Sequence, residues 1–229
     1  MVRPTLKKQI PNLQEAIKET AWNQIAELGA PALSLRAIAR ELKITAPAIY
    51  NYFPSHNDLV TALIVDAFTS LGDSQKSTLE AGKGKDAAAN LFSLGIAYRE
   101  WAVTYPQRYQ LIFGTPIPNY SAPDETTFPP AAWALLPLMQ TIQSLFVEDR
   151  IRLENLEKVS KKLKPMLESW KVFVGGDFDA EALYLAYVVW SRVHGLVMLE
   201  LGRQIPAFIT DPAEVFNREV SNIRLQYVK

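Results

Sequence analysis

The residues of this chain best suited to chemistry at a surface lie in the run Thr45-Ala46-Pro47-Ala48-Ile49-Tyr50-Asn51-Tyr52. Three small residues at its front let a helix tip approach another surface closely. The hydroxyls of Thr45, Tyr50 and Tyr52 can donate to phosphate oxygens, and the Asn51 carboxamide can meet a base edge. The inventory for covalent catalysis is poorer. The chain has no cysteine, which removes thiol chemistry, disulfides, cysteine-bound zinc and iron–sulfur clusters. It has two histidines, His56 and His194, and no G-x-S-x-G, H-E-x-x-H or P-loop sequence. No paired carboxylates at helical spacing sit among apolar neighbours with a base beside them. The reading is therefore no enzyme, no catalytic residue, no metal and no cofactor, with a helical enzyme carrying an acidic site as the remote alternative.

Charge gives a weak second signal. Lys and Arg balance Asp and Glu at 24 each, which at first argues against a nucleic-acid partner. The balance is uneven along the chain. Residues 1–53 hold Arg3, Lys7, Lys8, Lys18, Arg36, Arg40 and Lys43 against Glu15, Glu19, Glu27 and Glu41, an excess of three positive charges. A DNA-reading module on a neutral body has this pattern, and so do many solvated faces.

Elements must hold these residues in place. With 48% apolar and 21% charged residues the chain can bury a core of one or two domains. Periodicity is helical almost throughout. Leu13, Ile17, Ala21, Ile25 and Leu28 mark a first helix over about 12–28, capped by Asn12 and ended by Gly29. Ser34 precedes a short amphipathic helix through Leu35, Ile38, Ala39 and Leu42, with Arg36 and Arg40 outward. Thr45 opens the next, with Pro47 in its first turn. It buries Ile49 and Phe53. Ser55 with Asp58 forms a capping box for a long helix through Leu59, Leu63, Ala67 and Leu71. Lys83-Gly84-Lys85 is a linker turn, and helix resumes over 87–113 with a break near Pro106. The prolines of 114–130 preclude a regular helix there, and helix returns over 131–147, kinked or restarted at Pro137. Residues 148–164 are predicted to be a charged helix, with Glu148–Arg152, Glu154–Lys158 and Glu157–Lys161 at i, i+4. Ala182 to Trp190 is unbroken apolar, and apolar residues continue on every side to Leu201. Such a helix must be covered on more than one face, one by its own domain and the other by a partner. The expected fold class is all-α, without repeats: a helix-turn-helix bundle over 1–54, a connecting helix over 55–81 and a larger helical body over 82–229. No uncharged apolar run reaches eighteen residues, and the first residues lack a signal-peptide stretch, so no membrane partner and a cytoplasmic location are expected.

Two short helices joined by Lys43-Ile44-Thr45 have helix-turn-helix geometry. The stretch from about Asn12 to Phe68 resembles the TetR (tetracycline-repressor-like) family of bacterial transcription regulators. The resemblance rests on Leu33-Ser34-Leu35-Arg36-Ala37-Ile38-Ala39 and on Ile44 through Ser55, with the Tyr50-Asn51-Tyr52-Phe53 block its most specific part. It implies that Ser34 and Thr45 are phosphate-binding caps, that Ala46, Pro47 and Asn51 meet base edges, and that Tyr50 and Tyr52 grip phosphate or base. One departure matters. Where the family places a phosphate-binding lysine after Pro-Ser, this chain has His56, and a neutral imidazole brings little charge at pH 7. Weaker and more pH-sensitive operator binding than in the His56→Lys variant is expected. Few basic side chains near the tip mean few neutralised phosphates per subunit, so two copies reading a palindrome are expected.

The body carries many aromatics. Each taken singly reads as core packing. Together Trp101, Tyr105, Phe113, Trp133, Tyr187 and Trp190, with Met139, Met198 and the proline-rich loop, suggest an apolar ligand pocket between helices. Trp190-Ser191-Arg192-Val193-His194-Gly195 resembles the Trp-…-His-Gly motif of one C-terminal subfamily of these regulators, as does Pro106 to Gly114. On the residues themselves, Gly195 permits close helix approach, and His194 can hydrogen-bond a buried carbonyl or a ligand. Arg192 points to solvent or pairs with a carboxylate. The expected function is a homodimeric DNA-binding regulator, a repressor released from double-stranded operator DNA by a small hydrophobic effector. A DNA-binding protein without a ligand is the alternative.

Overall fold

Capping residues and turn chemistry set where the helices begin and end. The computed structural model describes residues 11–84 and 86–229; Arg3, Lys7 and Lys8 of the charge count and Lys85 of the expected linker turn lie outside the described residues. Ten α-helices are present among the described residues: α1 Leu13–Leu28, α2 Leu35–Glu41, α3 Ala46–Tyr50, α4 His56–Ala81, α5 Ala87–Thr104, α6 Pro106–Phe113, α7 Asp124–Val147, α8 Lys164–Val174, α9 Ala180–Leu201 and α10 Pro212–Tyr227. Among the described residues the only extended pairing is an isolated bridge between Ile151 and Val228. The fold is all-α.

Several predicted caps form. Gly29 ends α1 at φ 81°, where a Cβ would be strained. Ser34 Oγ accepts from the Ala37 backbone N–H at 3.4 Å. In the Ser55–Asp58 box, Asp58 Oδ2 accepts from the Ser55 N–H at 2.8 Å and Ser55 Oγ accepts from the Asp58 N–H at 3.2 Å. Asn12 differs: it adopts a left-handed conformation, φ 55°, and its side chain makes no capping bond.

Two longer segments also depart from the sequence reading. α7 starts at Asp124 and runs through Pro129, Pro130 and Pro137. Pro129 and Pro130 leave the carbonyls of Glu125 and Thr126 without helical donors, but both residues are exposed and water can satisfy them. The charged helix expected over 148–164 does not form. Residues 148–163 are irregular apart from a 3₁₀ turn at Leu153–Asn155. Tertiary pairing wins over local charge spacing: Arg152 N–H donates to Tyr227 O and Lys229 N–H to Arg150 O, each at 2.8 Å. The expected i, i+4 pairs are replaced by Arg150 bonded to Asp86, which holds that carboxyl below its usual range.

The chain divides into two compact units. The first runs up to Ile64 and includes Gln107–Ala122; the second is Val65–Pro106 with Pro123–Lys229. In the first, Ile17, Ala21, Ile38, Ile49, Leu59 and Leu63 are fully buried. α6 and the loop after it cluster here, although the sequence reading assigns them to the body. The Arg108 guanidinium lies 5.4 Å from the Trp22 ring centroid, and the Tyr120 hydroxyl is 2.9 Å from Thr61 Oγ1. In the second, α9 packs against α5, α7, α8 and α10. α9 is long and apolar enough to cross a membrane, but these contacts make it a core helix.

Candidate functional site

The helix-turn-helix is built by burying one side of two short helices. Leu35, Ile38 and Ala39 of α2 and Ile49 with Phe53 are buried, as the spacing predicts. The turn between the helices is tight. Ile44 N–H donates to Ala39 O and Lys43 N–H to Arg40 O, with Lys43 left-handed at φ 55°. This leaves Thr45, Pro47, Tyr50, Asn51 and Tyr52 exposed, Ala46 half-buried, and Arg36, Arg40 and Lys43 exposed beside them. Tyr50 and Tyr52 are 44% and 45% exposed, more than half-buried packing residues would be. Thr45 caps α3 by position, yet its hydroxyl makes no capping bond. Ser34 is held from behind, its N–H donating to Gln24 Oε1 at 3.3 Å, which positions a hydroxyl still able to donate. His56 is the first residue of α4, half-buried, with Nδ1 3.4 Å from Asn57 Oδ1. The sequence reading missed Gln24, a buried polar residue on the inner face of α1.

The body's aromatics scatter. A cavity of about 30 Å³ lies within the second unit among α4, α5, α7, α9 and α10, and Trp190 is the one predicted ligand residue that lines it. His194 stands one bond away, its Nδ1 3.0 Å from the Tyr98 hydroxyl, and Tyr98 does line it. Burial pushes the His194 imidazole below its ordinary pKa. The other predicted residues lie elsewhere. Trp101 is buried, with Nε1 donating to Ser70 Oγ at 3.0 Å, and Tyr105 lies 6.0 Å from its ring. Trp133 donates to Asp73 Oδ1 at 3.0 Å beneath Lys76. Met139 is core, Met198 is half-buried, and Tyr187 is 51% exposed against Trp170. Phe113 belongs to the first unit, 5.0 Å from Tyr109, and residues 114–122 of the proline-rich stretch belong there too, while Pro123, Pro129 and Pro130 belong to the second.

The predicted Trp-…-His-Gly motif is also rearranged in meaning. A Cβ on Gly195 would meet nothing within 4 Å, so among the described residues Gly195 serves no close approach. The close approaches are at Gly72, where a Cβ would fall 2.1 Å from Trp133 Cδ1, and at Gly95, 2.9 Å from Val220 Cγ1. Arg192 does pair with a carboxylate, its Nε donating to Glu219 at 2.6 Å. Gln75, which lines the cavity from α4, gave no sequence signal beyond being polar in an apolar stripe.

Comparison with known proteins agrees with this geometry. Residues 17–63 match the family described as bacterial regulatory proteins, tetR family, and residues 91–223 match the tetracyclin repressor-like C-terminal domain. The HTH-type transcriptional regulator Rv1816 of Mycobacterium tuberculosis is 30% identical over 208 residues, covering 90% of this chain and 88% of the relative. The crystal structure of SCO4313, described as a regulatory protein, aligns with TM-score 0.74 and 34% identity over 93% of this chain and 98% of that one. A TetR variant from Acinetobacter baumannii AYE, crystallised with minocycline, shares the fold at TM-score 0.53 and 17% identity over 96% of each chain. Both halves of the sequence thus lead to one place: the chain belongs to the TetR family of DNA-binding bacterial transcription regulators, and is not an enzyme.

Proposed function

We propose that this regulator is a homodimeric repressor that reads a palindromic operator and is released from it by a small hydrophobic effector. The observation that carries the DNA reading is the tip itself: Thr45, Pro47, Tyr50, Asn51 and Tyr52 exposed above a buried Ile49 and Phe53. In this reading residues 1–54 bind DNA, with Ser34, Arg36, Thr45 and His56 on phosphates, Tyr50 and Tyr52 on phosphate or base, and Ala46, Pro47 and Asn51 at base edges. Helix 55–81 connects, and residues 82–229 dimerise and bind the effector.

Dimerisation is supported by one face of α9. Tyr187, Ser191, Gly195 and Leu199 follow one another at i, i+4 spacing; Tyr187, Ser191 and Leu199 are exposed, and open space lies over Gly195. A second copy laid along that face would fill it, giving an isologous interface and two recognition helices. Effector response is supported by α4, which contributes residues to both compact units, so a guest that moves its second half biases the element that carries His56. The small size of the cavity favours a second reading, a regulator with no effector. Selection of bound fragments from random duplexes tests the main reading. An inverted repeat with half-sites about one helical turn apart is expected, and enrichment of no sequence, or of a single half-site, overturns it.

A further inference from the structure

We propose that the cavity in the body is the receptor for an uncharged, largely apolar molecule carrying one carbonyl-type hydrogen-bond acceptor, and that the Gln75 amide reads that acceptor. The proposal rests on the effector reading above and names its chemistry. Gln75 is 4% exposed, yet its Nε2 is buried with no hydrogen-bond partner. A buried amide donor left unmade costs its desolvation without return, so native proteins leave few of them. This one lines a cavity whose other walls are mostly aliphatic, with Leu91, Leu94, Leu138, Val193 and Ile223 among them. Two other polar groups stand on the wall, the Tyr98 hydroxyl, 3.0 Å from His194 Nδ1, and the Trp190 indole, whose ring lies 5.0 Å from that of His194.

Charge narrows the class further. Among the described residues no Lys, Arg, Asp or Glu lines the cavity. The basic side chains on its wall helices α5 and α9 are held elsewhere, with Arg99 Nε donating to Glu200 at 2.8 Å and Arg192 Nε to Glu219 at 2.6 Å. A carboxylate guest would shed its hydration and meet no cation, whereas a ketone, ester or amide carbonyl would satisfy Gln75 at small desolvation cost. The space of about 30 Å³ holds no more than a water or two, so a guest must part the walls. That requirement links occupancy to movement of α4, which carries Gln75.

The test compares 2-acetylnaphthalene, 2-ethylnaphthalene and 2-naphthoate by titration calorimetry on the full chain and on its Gln75→Leu variant, with melting curves of both free proteins. The wild type is expected to bind the ketone roughly fivefold to tenfold tighter than the hydrocarbon and the carboxylate most weakly. Gln75→Leu is expected to bind the two neutral probes equally and, having lost no partner, to melt no lower than the wild type. Equal wild-type affinities for ketone and hydrocarbon, or a preference that survives in Gln75→Leu, overturn the role of Gln75 and leave an apolar effector site standing. A free Gln75→Leu protein that melts several degrees lower shows a structural partner for the amide and also overturns it. Silence from all three probes on the wild type overturns this proposal and the effector reading together.

Discussion

His56 opens α4 at the edge of the proposed DNA surface, where a lysine would bring a full charge. His56→Lys adds one phosphate contact per subunit, so a dimer's plot of log affinity against log salt should steepen by about 2. Fluorescence anisotropy on the selected operator measures it, and an unchanged slope would refute the role. His194 lies in a different environment. Burial depresses its pKa, so the unfolded chain binds the proton more readily than the folded one. Its contribution to stability is therefore present above the ordinary imidazole value and is lost as pH falls through that value toward the depressed one. Between pH 7.5 and 5 the wild type should lose more melting temperature than His194→Gln, and parallel losses would show that the ring does not sense protonation. Both histidines are conspicuous in the sequence. The partner of His194, Tyr98, lies 96 positions away, and no spacing rule links them.

Helix boundaries were legible wherever a local signal decides them. Ser34, Gly29 and the Ser55–Asp58 pair act through bonds within three or four residues, and each forms. The segment 148–163 was not legible, because its backbone is claimed by Tyr227 and Lys229 at the far end of the chain. The prolines of α7 misled for a related reason: solvent around Glu125 and Thr126 satisfies what the missing N–H groups leave open. Packing between helices was least legible, since glycines do not announce what they admit. Gly72→Ala should cost about 1–3 kcal/mol in urea unfolding, because a Cβ there meets the Trp133 indole at 2.1 Å. Gly195→Ala should be neutral or slightly stabilising in the monomer, through a less flexible unfolded chain, since nothing lies within 4 Å of its Cβ. Reversal of that order would mean the close contact lies elsewhere.

For the whole molecule, helical periodicity carried the all-α class and the resemblance carried the family, while the lack of cysteine excluded thiol and disulfide chemistry, cysteine-bound zinc and iron–sulfur clusters. The lining of the proposed effector cavity was legible only in part, because an aromatic is informative by where it points, and pointing is set by tertiary packing. Trp190 reached the cavity; Trp101 and Trp133 were drawn to Ser70 and Asp73 instead. If the face of α9 through Tyr187 and Leu199 joins two copies, Gly195→Glu should give a monomer of unchanged helicity in sedimentation and circular dichroism, with operator affinity reduced by orders of magnitude. A dimer that survives this change would place the interface elsewhere.

The indole of Trp190, on the cavity wall, makes the chain its own optical detector. With Trp22, Trp101, Trp133 and Trp170 replaced by phenylalanine, the remaining emission would report directly on what enters beside Gln75. A change in colour or intensity on addition of a candidate inducer would then sort compounds without any DNA in the cuvette.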